Sequence, residues 1–161
     1  MPHPARPTES QAIRVAAQTR RLRVWPVLRW LPFAGVGLAS LVESALAPLG
    51  RKPFQFDWSL SVEALHFSIT KGPHIGATML LAFLAVVATG RQRPLLAFAL
   101  TLLIGAGWEL GQTTVVGHSA RLADLAPDAV GALLGCAWGA LACWLTEFQT
   151  AERRVGPSAG V

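Results

Sequence analysis

Four stretches of this chain carry no charged side chain: Trp30 to Val42, Ile75 to Gly90, Pro94 to Trp108, and Ala129 to Thr146. The second and fourth approach the roughly 17 to 25 residues that a helix needs to cross a bilayer. The first and third reach that length by admitting one carboxylate each, Glu43 and Glu109. The pattern predicts an all-α fold, a polytopic membrane bundle of about four transmembrane helices. Their expected bounds are 27–49, 74–89, 95–112 and 127–145, the last opening at Pro127, a residue suited to the first helical position. Between the first two lies the longest internal connection, 51–73. Trp58, Leu60, Val62, Leu65 and Phe67 mix helical and alternating spacings there, as in a segment lying along the membrane surface. Residues 113–126 read as a polar connection.

Composition supports this partition. Apolar residues make up 52% of the 161 and charged residues 14%, against about 25% charged in an average soluble domain. A soluble bundle with four such runs would have too little polar surface to cover it. The expected organisation is a basic tail over 1–23, a transmembrane domain over 24–147, and a second tail over 148–161. Basic residues, an apolar run and Ala45-Leu46-Ala47 imitate a cleaved leader. The long basic region, Glu43 and Pro48 argue instead for a retained helix.

The net charge of +5 raises the question of nucleic acid. No groove-reading motif and no interleaved aromatics accompany the basic residues, so no nucleic-acid partner is expected. Six basic residues precede or open the first span (Arg6, Arg14, Arg20, Arg21, Arg23, Arg29). Arg91, Arg93, Arg153 and Arg154 fall on the same side, giving ten; Arg51, Lys52, Lys71 and Arg121 make four on the other. Positive charge favours the cytoplasm, which predicts both termini inside. The chain is thus expected to be a multi-pass cell-membrane protein with membrane lipid as its partner. Trp25 and Trp30 suit the inner interface, and Arg29 can snorkel to the head groups.

Within the fourth run, Gly131, Gly135 and Gly139 recur every four residues along one helix face. Small residues let a neighbouring backbone approach, either inside the monomer or across a homodimer through the fourth span. Cys136 and Cys143 share a helix face too far apart to bridge and read as packing residues. No Cys/His spacing specifies a metal, and neither metal nor cofactor is expected.

In the expected topology, polar residues from distant segments meet at the outer face. Lys71 and His74 enter the second span. Glu109 and Gln112, three apart and so on one face, leave the third. Arg121, Asp124 and Asp128 lead into the fourth. A carboxylate at the hydrocarbon edge needs a partner, and Arg121 is the natural one for Glu109, since a guanidinium grips a carboxylate with two bonds. Asp124 competes for it. Asp128 sits where the helix dipole favours its charge. Glu43 either snorkels outward or joins the cluster; His66 and His118 read as loop histidines with no role.

The series Lys71-x-x-His74, Glu109-x-x-Gln112 and Arg121-x-x-Asp124-Leu125-x-x-Asp128-x-x-Gly131 resembles the VanZ-like membrane protein family over residues 70–140. The family's Asp before the Lys is Thr70 here, and its Asn is Asp128. An acid in place of an amide loses two donors and adds charge. The resemblance implies a cell-envelope protein of the kind linked to teicoplanin (glycopeptide antibiotic) resistance. Lys71, His74, Glu109, Gln112, Arg121, Asp124 and Asp128 would form its ligand site, and Gly131 a packing position. Three functions compete. One is a binder of a lipid-linked or glycolipid-type ligand at the outer face, using Lys71, His74 and Arg121. Another is a hydrolase or transferase on such a head group, with Glu109 and Asp124 as bases and His74 as acid. The third is a proton-linked transporter relaying through Glu109. Gly117-His118-Ser119 lacks the Pro-Ser that a lipid phosphatase motif requires, and no Gly-x-Ser-x-Gly elbow exists.

The orientation is testable in a chain with Cys136 and Cys143 replaced by Ala. Single cysteines placed within 51–73 or 113–126 are expected to react with an impermeant thiol reagent in intact cells, and cysteines at 92 and 156 are not. Labelling at 92 alone would reverse the topology.

Overall fold

The computed structural model describes residues 27–155, with side chains through Thr150. The basic tail 1–23, with five of the ten basic residues expected on the inner side, lies outside the described residues. What is described is mostly helical. Helix α1 spans Leu31–Ala45. A two-residue strand β1, Phe56–Asp57, and helix α2, Val62–Ile69, follow. Helices α3, Gly72–Thr89, and α4, Pro94–Gln112, form the centre. Strand β2, Ala120–Arg121, and a 3-10 turn, Leu122–Asp124, lead into α5, Leu125–Val155.

Among the described residues, three helical stretches are long and apolar enough to cross a membrane: α3, α4, and Leu122–Thr150. The first expected span is shorter. Helix α1 has 15 residues, about 22 Å at 1.5 Å per residue, against a hydrocarbon core of about 30 Å. Proline sets its start: Pro32 tolerates only the first turn, and a turn at Arg29-Trp30, closed by the Trp30 N–H on the Val27 carbonyl, precedes it. Pro73 and Pro94 open α3 and α4 in the same way. Gly90, at φ +84°, stops α3 while its N–H still bonds the Val86 carbonyl. Helix α5 starts two residues before Pro127 and continues well past Leu145, so most of the expected C-terminal tail up to Val155 is helical.

The interior is built mostly from small side chains. Ala82, Ala85, Val86, Ala97, Ala132 and Cys136 are buried, with Phe33, Leu81 and Trp108 as the large exceptions, whereas Leu95, Leu103, Leu133 and Trp138 stand out from the bundle. Large apolar residues outside and small ones between helices are the arrangement expected of a bundle solvated by lipid. The glycine face of α5 meets α3. A Cβ on Gly131 would strike the Ile75 carbonyl and Thr78, one on Gly135 the Met79 carbonyl and Ala82, and one on Gly139 Val86. That face is therefore occupied within the monomer, and a homodimer through the fourth span would need another side of α5.

These contacts fix direction. Both numbers rise together along α3 and α5, so the two helices run parallel. Gly37 against Ile104, Leu41 against Gly107 and Ser44 against Gly111 make α1 and α4 parallel likewise. The short turn at residues 90–93 makes α3 and α4 antiparallel. The start of α1, that turn and the C-terminal part of α5 thus share one end, where Arg91 Nε lies 2.8 Å from Glu147. The long connections share the other.

Those connections are stitched together. Lys52 N–H bonds the Thr114 carbonyl, Gln55 N–H the Thr113 carbonyl, and Val116 N–H the Gly50 carbonyl. Strands β1 and β2 pair in parallel, Phe56 with Ala120 and Asp57 with Arg121. Helix α2 is capped by Ser61, whose hydroxyl accepts the Ala64 N–H. The expected surface segment is thus a short helix plus a sheet edge, with Phe54, Trp58, Val62 and Phe67 exposed.

Gly135→Leu is expected to destabilise the protein by about 3 kcal/mol, as overpacking of a tight contact does. Leu133→Ala, on the outer surface, should change stability by no more than about 0.5 kcal/mol. Thermal melts in one detergent compare the two; equal losses would place the glycine face against lipid.

Candidate functional site

The end of the bundle beneath the stitched connections holds three buried carboxylates. Glu109 is 2% exposed, Asp124 1% and Asp128 0%. Burying such groups is tolerated only where donors meet them. Each has a different one.

Asp124 is held from both sides by the α2–α3 junction. Ser68 Oγ donates to Oδ1 at 2.6 Å, and Lys71 Nζ lies 2.6 Å from Oδ2. Ser68 closes α2 and Lys71 caps α3, so the three-residue interval between them matches the two oxygens of one carboxylate. Asp128 lies one turn further along α5, and His74 one turn into α3. His74 Nδ1 is 3.2 Å from Asp128 Oδ1. The parallel run of α3 and α5 sets these two pairings in register. The room for Asp128 comes from α4: a Cβ on Gly105 would collide with the Asp128 carboxylate. Glu109 takes its bond from the backbone, since the Arg121 N–H donates to Oε2 at 2.8 Å. Glu109 Oε1 and Asp128 Oδ2 have no protein donor.

The expected grip of the Arg121 guanidinium on Glu109 is therefore not what forms. Strand pairing turns the Arg121 side chain outward. Its Nε lies 3.9 Å from Asp57 Oδ2, and its guanidinium stacks 5.3 Å from the centre of the Phe67 ring. Asp57 accepts the Ser59 N–H, and that bond holds its carboxyl below the usual range, with Arg121 adding to the effect. Asp57 is thus charged throughout the neutral range. Lys71 also lies over Phe67, at 5.7 Å, so one aromatic ring seats both cations. Asp124 pairs with Lys71 rather than with Arg121.

The acids are buried, and the two cations and the imidazole that face them are less so. The Lys71, His74 and Arg121 side chains retain 27%, 20% and 32% of their exposure. Of the three candidate catalytic groups, Glu109 and Asp124 are sealed in protein, and His74 alone also lines an open cleft. That cleft has a volume of about 280 Å³ and lies between α1, α3 and α4. Gln112, Glu43 and His118 line it too, so Glu43, expected either to snorkel outward or to join the cluster, shares the cleft with His118, for which no role was expected. His66 stays apart, beside Phe67 and Thr70 on α2. Among the described residues, no three His, Cys, Asp or Glu side chains converge on a metal-sized point.

Sequence reasoning missed Ser68, Asp57, Phe67, Trp108 and Gly105. Ser68 carried a weak signal, three residues before Lys71. Trp108 precedes Glu109 and packs edge-on to His74 at 6.0 Å, with its indole N–H donating to Ser40 at 2.9 Å. Nothing in the sequence distinguished Gly105 from the other glycines of α4.

Two double-mutant cycles separate these contacts. Lys71→Met with Asp124→Asn is expected to show coupling of about 1 to 3 kcal/mol, as for groups in one network. Glu109→Gln with Arg121→Gln should add within about 0.5 kcal/mol, because a glutamine at position 121 keeps the backbone N–H that Glu109 uses. Thermal unfolding of the four single and two double variants provides the check; coupling confined to the second pair would contradict this geometry. No protein-family model, curated protein or solved structure matches the chain, so its chemistry has to be read from these contacts.

Proposed function

We propose that the chain is a VanZ-like integral membrane protein of the cell envelope that binds a phosphate-bearing, lipid-linked ligand at the outer face. The observation carrying this is the division of charge at the polar end. Three carboxylates are buried, while Lys71, His74 and Arg121 remain accessible at its rim. Acids so placed do not meet a ligand; they hold cations for one. Lys71 is fixed by Asp124, and the backbone of Arg121 by Glu109. Fixed ammonium and guanidinium groups at head-group depth favour a phosphate, which accepts charge-assisted hydrogen bonds from both. Lys52 adds a third cation near Arg121 beside an open pocket over β1 and β2. A link to teicoplanin-type resistance rests on the motif resemblance.

A second function has one observation in its favour. An imidazole whose Nδ1 faces a buried carboxylate is oriented as a general base, and His74 with Asp128 has that arrangement. A hydrolase or transferase acting on the same head group would use it. Proton-linked transport has no comparable support.

Purified protein titrated with phosphatidylglycerol in detergent, with native mass spectrometry counting bound lipid, is expected to show saturable binding. Lys71→Ala and Arg121→Ala should each weaken it about tenfold, the worth of one charge-assisted bond. Binding unaffected by both changes would remove the proposal. Phosphate release from a lipid pyrophosphate, lost in His74→Gln, would favour the enzyme.

A further inference from the structure

The cleft beside His74 differs in chemistry from the cationic rim. Its polar lining comes from Ser40, Glu43, Ser44, His74, Gln112 and His118. The two serine hydroxyls have already spent their protons: Ser40 donates to the Gly37 carbonyl at 2.9 Å and Ser44 to the Leu41 carbonyl at 2.8 Å. Both therefore face the cleft as acceptors. Glu43 is an acceptor in its ionised form, and it has no ion-pair partner among the described residues. With Nδ1 turned to Asp128, the nitrogen that His74 has left for the cleft is Nε2. When Nδ1 carries the proton to Asp128, Nε2 is an acceptor. Trp108 forms an aromatic wall, and its single N–H is already given to Ser40. Gln112 and His118 can donate as well as accept, but Glu43, Ser44 and His74 together offer acceptors around a carboxylate, and that part of the cleft calls for a donor-rich, positively charged group.

Helix geometry places this cleft next to the rim. Lys71 and His74 are one turn apart at the start of α3. Glu109 and Gln112 are one turn apart at the end of α4. His74 belongs to both the charge cluster and the cleft, since its Nδ1 faces Asp128 and its side chain lines the cleft, and Lys71 precedes it by about 5 Å along α3. A phosphate on Lys71 and an ammonium beside Glu43 are thus neighbouring sites of opposite sign.

We propose that the cleft is an amine subsite, so that the ligand is a phospholipid whose head group also carries a primary amine. This rests on the phosphate-binding role of the rim. A primary ammonium offers three donors to Glu43, Ser44 and His74; a trimethylated one offers none.

The test compares phosphatidylethanolamine, phosphatidylcholine and phosphatidylglycerol of identical chains, bound to the full chain in detergent and counted by native mass spectrometry. Phosphatidylethanolamine is expected to outbind phosphatidylcholine by about tenfold, the worth of a hydrogen bond to a charged group. Glu43→Gln, at an exposed position, should bring that ratio close to one while phosphatidylglycerol binding stays as it was. Lys71→Ala should weaken all three. Equal binding of the amine and its trimethylated form, with phosphatidylglycerol still retained, overturns the amine subsite and leaves the phosphate site standing. Failure to bind any of the three removes both. Displacement by soluble phosphoethanolamine at matched concentration would overturn the assignment to a lipid. If Glu43→Gln fails to fold, the ratio in the unaltered chain still decides.

Discussion

Gly131 has no Cβ because the Ile75 carbonyl stands where one would be, and the polar end depends on that contact. With Gly135 and Gly139 repeating it along α5, the α3 and α5 backbones lie closer than any larger residue would allow. They also run parallel and in register. Parallel register turns two sequence intervals into two pairings. Lys71 and His74, three apart, meet Asp124 and Asp128, four apart. A shift of either helix by one turn would exchange the partners and leave one acid buried without a cation. Close packing is the main attraction available between apolar helices in lipid, so the contact that holds the bundle also selects its charge pairs.

Burial then divides the labour among the charged groups. The carboxylates lie inside, where an unpaired charge is costly, and each is met by a fixed donor: a hydroxyl, an ammonium, an imidazole or a backbone N–H. The cations lie further out: Asp124 pins the end of Lys71, while Arg121 is held by its backbone at Glu109 and its guanidinium lies beside Asp57. Phe67 supports two of them from below. Such a rim presents donors outward with little freedom left to lose, which is the condition under which ligand contacts contribute most to affinity.

The sequence showed the helices and the members of the site more clearly than their partners. Uncharged runs located α3 and α4 nearly to their ends, because prolines and Gly90 punctuate them. Helix α1 is shorter than the expected 27–49 span, since apolar residues continue on either side beyond the points where Pro32 and Leu46 bound the helix. Glu109, Arg121 and Asp124 were recognisable as one neighbourhood, but charge complementarity alone favoured a Glu109–Arg121 side-chain pair. The competing influence was non-local. Arg121 sits in a strand paired with residues more than sixty positions away, and that pairing turns its guanidinium toward Asp57 while aiming its N–H at Glu109. The place of Glu43 and His118 was hard to read for a related reason: the cleft forms where α1 stands beside α4, and the four-residue spacing of Gly107 and Gly111 does not say which helix they meet.

The stitching of the two long connections has a consequence for motion. Each connection alone has the composition of a loop, and loops over a binding site commonly open one at a time. Here Lys52, Gln55 and Val116 share main-chain bonds across the gap, β1 lies against β2, and the second strand ends on the residue whose N–H reaches Glu109. Neither connection can lift without the other, and lifting both withdraws the donor from a buried acid. The lid and the charge site therefore behave as a single cooperative unit: the roof is also a ligand of the floor.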